Sequence, residues 1–324
     1  MRKKEFLIFI LIVFLLTSLG CNRTKKQEPR EISYRTGTQG LVLNFPADTP
    51  TKIYEHDNSV SFIVEVRNKG AFPQPDEIEN FEAYLWIGGF DNNILEILPK
   101  DSTPIGGGGI QLKNDELEGK TSYNPQGGYS AVEFEMSVMD LPQGMPFYRP
   151  KIIVTATYKY QTIASPMICV DPEPRSTRIR EKVCDMDESV SPGSQGAPIA
   201  VTKIEQDVTS DNILFKIFIR NMGNGIVIPD YEIDKNPNKG YDWRDLNKVF
   251  LDEVTLGNIP MTECRPRIGS EVNLINGEGY IFCRINKDNL PNEAYQTPIN
   301  IILSYGYANS IEREIEIFEE VSFD

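Results

Sequence analysis

Five cysteines and one histidine are the residues of this 324-residue chain best suited to chemistry. The cysteines are Cys21, Cys169, Cys184, Cys264 and Cys283. No two of them form a Cys-x-x-Cys pair, and a single imidazole leaves no donor set for a zinc site. With Cys21 set aside, four remain. Four cysteines in an exported chain imply two disulfides, for which three connectivities exist. Nearest-neighbour pairing, Cys169 with Cys184 and Cys264 with Cys283, is the expected one, because each pair falls within one local region. Closing a loop of about 15 to 20 residues stabilises a fold by about 3 kcal/mol in the chain-entropy picture.

His56 lies in Tyr54-Glu55-His56-Asp57-Asn58, a segment of turn composition between two strand patterns, and reads as a solvated loop residue. Any Ser-His-Asp or Cys-His site would have to use it, and no Gly-x-Ser-x-Gly elbow accompanies it. The run Ile105-Gly-Gly-Gly-Gly-Ile110 is not followed by Lys-Ser/Thr and reads as a flexible loop, not a phosphate cradle. Asp185-Met-Asp187-Glu188 and Asp211-Asn212 are acidic but lack the spacing of a twelve-residue calcium loop. Carboxylates are too abundant for any pair to stand out as a glycosidase site. The expectation is a protein without catalytic residues, cofactor or metal.

Cys21 gains meaning from what precedes it. Arg2, Lys3 and Lys4 are followed by an apolar stretch from Phe6 to Leu19, broken only by Thr17 and Ser18. At about 1.5 Å per residue this reaches about 21 Å, short of the ~30 Å of a hydrocarbon core and right for the apolar region of an export signal. The end of the stretch resembles the bacterial and archaeal lipobox, with Gly20-Cys21 in place and Ser18 where Leu is usual. A lipid on Cys21 is the expected anchor. An uncleaved anchor helix and a free secreted form are the alternatives. All three put the body on the extracytoplasmic face of a membrane.

The elements behind these residues read as β-structure. Residues 1–20 are the signal or anchor helix and 21–33 a polar tether. Val60, Phe62, Val64 and Val66 alternate with Ser61, Ile63, Glu65 and Arg67, the period of a half-buried strand. Further strands are expected at 40–45, 81–87, 94–98, 110–112, 129–139 and 152–163, with Gly, Asn and Pro turns between them. Residues 171–197 are rich in Pro, Gly and Ser and read as a linker. The pattern then repeats. Arg67-Asn68-Lys69-Gly70 returns as Arg220-Asn221-Met222-Gly223, each after an apolar strand. Tyr158-Lys159-Tyr160 returns as Tyr305-Gly306-Tyr307. Two echoes in one order argue for a duplicated module, 34–170 and 198–324. The tyrosines are expected to pack on the core rim and bond through their hydroxyls. Residues 241–250, with Trp243, Leu246 and Phe250 at helical spacing, suggest a short helix.

An apolar strand ending in Asn-x-Gly, duplicated behind a lipoprotein-like signal, resembles the CARDB-type and related immunoglobulin-like domains of archaeal and bacterial surface proteins. The resemblance spans about residues 34 to 322, and the excursions at 90–123 and 230–252 exceed a minimal domain of that kind. It implies an all-β chain of two tandem immunoglobulin-like sandwiches, with a non-catalytic role in adhesion, scaffolding or envelope assembly. The partners so implied are other envelope proteins or surface glycans, besides the membrane itself. A formal charge of −14 argues against nucleic acid. The alternative is a carbohydrate-binding module or envelope hydrolase with a loop-borne acidic site, its aromatic walls supplied by residues such as Trp86 and Trp243.

Overall fold

The structure is a computed structural model that describes residues 34–319 except 56, 58, 99–103 and 177–181. Cys21, the leader, the tether and His56 lie outside the described residues. Residues 34–324 form one compact unit.

The described residues are all-β, and their only helical segments are single 3₁₀ turns in the loops between strands. Ten long strands carry the architecture. In the first half they are β1 (Leu41–Asn44), β2 (Val60–Asn68), β3 (Ala83–Gly88), β4 (Tyr129–Val138) and β5 (Lys151–Ala164). In the second half they are β6 (Ile199–Val208), β7 (Asn212–Asn221), β8 (Lys248–Leu256), β9 (Glu278–Asn286) and β10 (Tyr295–Glu314). Each half contributes one outer sheet. The first runs β1-β2-β4 and ends on Leu95–Ile97; the second runs β6-β7-β9, flanked by Ser189–Val190 and Glu263–Arg265.

A third sheet is common to both halves, with β8-β10-β5-β3 at its centre. Its seam pairs β5 with β10 antiparallel, from Lys151 opposite Glu314 to Ala164 opposite Ile301. Met167–Val170 continues the same register against Pro298 to Tyr295. Tyr158 stands opposite Tyr307 and Tyr160 opposite Tyr305, so exchanging the halves maps the seam onto itself about the Lys159–Gly306 pair. The seam is buried because its inward residues are apolar at period two, Ile152, Val154, Ala156 and Tyr158 from β5 and Ile299, Ile301, Leu303 and Tyr305 from β10. Phe62, Phe134, Phe215 and Ile281 meet them from the outer sheets in one continuous core.

The segment 171–197 is built into this body. Ser189–Val190 pairs with β6, and the Ala71 amide donates to the Gly196 carbonyl at 2.7 Å. The helix expected over 241–250 does not form. Gly240 and Asn247 both take positive φ, which breaks a helical run, and Lys248–Leu256 is strand β8. Trp243 is left 79 % exposed on the preceding loop.

Candidate binding surface

The four repeated tyrosines are structural. All are buried at the seam's centre, not on its rim, and their rings contact one another with centroids 5.8 to 6.3 Å apart. Three of the hydroxyls have hydrogen-bond partners at 2.9 to 3.2 Å. Tyr160 donates to the Gly196 carbonyl at 3.2 Å, Tyr305 shares a bond with Thr162 at 2.9 Å, and Tyr307 donates to Asn221 Oδ1 at 3.0 Å. Asn221 is the motif asparagine. Its Oδ1 accepts from the Gly223 amide and its Nδ2 donates to the Gly225 carbonyl. Asn68 repeats this, accepting from Gly70 and donating to Phe72 and Leu117 carbonyls. The motif is thus a side-chain-closed turn on which a seam tyrosine rests.

Cys169 bonds to Cys184 and Cys264 to Cys283, with Cα–Cα distances of 5.9 and 4.1 Å. Cys264 and Cys283 face each other directly on neighbouring strands. Trp86 is buried, not a ligand wall; its Nε1 donates to Thr157 Oγ1 at 2.9 Å, and Thr157 donates to the Ile233 carbonyl. Among the described residues no group of three His, Cys, Asp or Glu is placed to hold a metal ion. Asp185, Asp187, Glu188 and Asp211 are exposed. Gly107 and Gly108 form the tight turn between Pro104–Gly106 and Gly109–Gln111.

The arrangement that sequence reasoning missed is the outer face of β7 and β9. Inward residues such as Phe215 and Ile217 fill the core, yet among the outward ones Leu214, Phe218, Tyr280 and Phe282 are also large and apolar. Leu214, Tyr280 and Phe282 are 37 %, 55 % and 46 % exposed. Register sets Phe218 opposite Tyr280 and Lys216 opposite Phe282. The Lys216 ammonium lies 4.7, 5.3 and 5.4 Å from the ring centroids of Phe218, Tyr280 and Phe282. Lys203 approaches Phe218 from β6 at 4.4 Å while its ammonium pairs with Glu205. Cations over ring faces in this geometry are held by the ring quadrupole.

A groove of about 640 Å³ opens beside this face. Met261, Val254, Leu214 and Phe282 give it an apolar floor. Arg265, Arg267 and Arg284 stand at its rim. Arg284 pairs with Glu263. Arg265 and Arg267 make no ion pair among the described residues.

The corresponding face of the first half differs in kind. Its outward residues include Glu65, Glu133 and Glu135, which accept from Asn44, Ser61 and Ser59. The first sheet has four strands and the second five, so the two faces differ in extent as well as in side chains. No protein-family model matches the chain, and no curated protein is similar to it.

Proposed function

We propose that this chain is a non-catalytic binding protein held on the extracytoplasmic face of the cell membrane by its N-terminal segment, through lipidated Cys21 or an anchor helix. Its two halves act as fused immunoglobulin-like modules in adhesion or envelope scaffolding, and contact is made through the outer face of β7 and β9. The observation that carries this is the exposed aromatic and cationic face of the second half, set beside Arg265 and Arg267, which make no ion pair among the described residues. A protein surface seldom leaves such groups in one patch without a partner for them. Two disulfides fit an oxidising compartment outside the cytoplasm.

The test is the intact mass of the protein from its native membrane fraction, with and without reduction, coupled to sedimentation with protein-stripped envelope. A mass beginning at a lipid-modified Cys21, a gain of about four hydrogens on reduction and co-sedimentation support the reading. A chain beginning at Met1 with five free thiols, or one that stays in the supernatant, overturns it.

A further inference from the structure

We propose that the outer face of the five-stranded sheet binds a linear, carboxylate-bearing polysaccharide, a polyuronate; this rests on the extracytoplasmic binding role above. A pyranose ring has apolar C–H faces and a polar edge. The groove offers the complement, an apolar floor with a few polar groups at the rim. Arg265 and Arg267 are both exposed and without an acidic partner among the described residues. A guanidinium fork matches a carboxylate with two parallel hydrogen bonds. On the other side of Phe282 lies a second groove of about 700 Å³, into which Lys216 projects. Both grooves are lined by Leu214 and Phe282, so a ligand crossing that ridge touches both.

The length of the face selects a chain over a single sugar. Five strands at a spacing of about 4.8 Å span about 19 Å from Glu263–Arg265 to Ser189–Val190. Cations stand at intervals along that line, Arg265 at one end and Lys216 beyond the ridge. The same face also carries Glu205, Glu263 and Glu278, paired with Lys203, Arg284 and Arg220, while Glu253 lines the first groove and Glu188 and Asp207 line the second, so the ligand's carboxylates must be met at Arg265 and Arg267. A flexible polymer can lay its carboxylates between these pairs. A folded acidic protein would cover them with its own carboxylates across an interface of about 1,000 Å² or more. The chain's charge of −14 weakens binding of any polyanion, so Arg265 and Arg267 act at contact range, within the ~8 Å screening length of physiological salt.

The experiment is calorimetric titration of the full chain with polygalacturonate, with dextran and poly-glutamate as controls. Binding to polygalacturonate alone is expected, weakened about tenfold in Phe282→Ala and in the double variant Arg265→Gln, Arg267→Gln. Circular dichroism melts of the variants establish that each remains folded; Glu65→Gln, on the outer face of the first half and outside both grooves, is the control and keeps its affinity. No binding to polygalacturonate overturns the proposal, as does binding indifferent to these substitutions. Equal binding to poly-glutamate also overturns it and makes an acidic polypeptide the occupant. The mass measurement above is independent of these outcomes, so a failed titration with a lipidated Cys21 sinks the ligand and not the location.

Discussion

The hydroxyl of Tyr160 fills the space that a side chain at Gly70 would need. A Cβ built on Gly70 would lie 1.7 Å from that oxygen, and one on Gly223 would lie 2.3 Å from the hydroxyl of Tyr307. The two sequence echoes are therefore one structural device used twice. The glycine of Asn-x-Gly is absent of side chain because the second tyrosine of Tyr-x-Tyr rests on its turn.

Gly70→Ala is expected to cost about 2 to 3 kcal/mol, the range for overpacking a tight interior. Backbone oxygens of Gln39 and Gly196 also crowd the site, so relief by tyrosine movement alone is insufficient. Gly144→Ala is the contrast. Unlike Gly70 it takes positive φ, but nothing lies within 4 Å of its added carbon. Its cost is backbone strain alone, about 1 kcal/mol. Urea denaturation measures both, and equal losses would refute the packing account.

Alkaline pH should unfold the protein through the same tyrosines. Burial pushes the hydroxyls of Tyr158, Tyr160 and Tyr305 above the ordinary tyrosine value of 10.0. The unfolded chain gives up these protons near pH 10 while the fold retains them. Above that point the unfolded state binds fewer protons, so stability is complete below about pH 10 and is lost as pH rises toward the folded values. Tyrosinate absorbance followed beside circular dichroism checks this. Titration of all 14 tyrosines with the β signal intact would contradict it.

Removing Cys264–Cys283 with paired alanines is expected to lower stability by about 3 kcal/mol, as for a loop of its size. The bridge holds Glu263–Arg265 against β9 beneath the groove. Polyuronate affinity should fall with it. Removing Cys169–Cys184 should cost similar stability and lower that affinity by less, since it loosens only Pro174, Arg175, Met186 and Glu188 at the second groove. Thermal melts and titration on the two variants separate the effects.

The two tryptophans should diverge. Trp86→Ala removes a buried ring and leaves Thr157 without its donor, for a cost of about 3 to 5 kcal/mol. Trp243→Ala, on an exposed loop, should stay within about 0.5 kcal/mol of the parent. Denaturant midpoints of the pair test this directly.

Strands were legible where one face is buried and the other wet. Residues 60–68 and 129–138 alternate cleanly, and the structure places β2 and β4 there. The exposed aromatic face was hidden by the same rule, since alternate positions are read as solvated. Its signal lay in β7, where Ile213-Leu214-Phe215 and Ile217-Phe218-Ile219 are apolar at both parities. The helix expected at 241–250 failed for another reason. Trp243, Leu246 and Phe250 have helical spacing, but Phe250 belongs to a strand held by β10, and tertiary pairing overrides a weak local period. Nothing in the spacing of the echoes shows that Tyr158 faces Tyr307, because that depends on which strands become neighbours.

The seam places Lys159 opposite Gly306, on the axis that exchanges the halves. In a homodimer of identical chains, that axial position would face its own copy, and two lysines directly opposite repel. Within one chain the constraint is gone. Lys159 turns to an ion pair with Glu82 at 2.6 Å, while Gly306 lets the carbonyls of Ile228 and Pro229 come within 2.8 Å of where its Cβ would be. A single chain can thus keep a symmetric seam of tyrosines while the two residues on its axis differ, one carrying a charge outward and the other making room for a neighbouring backbone.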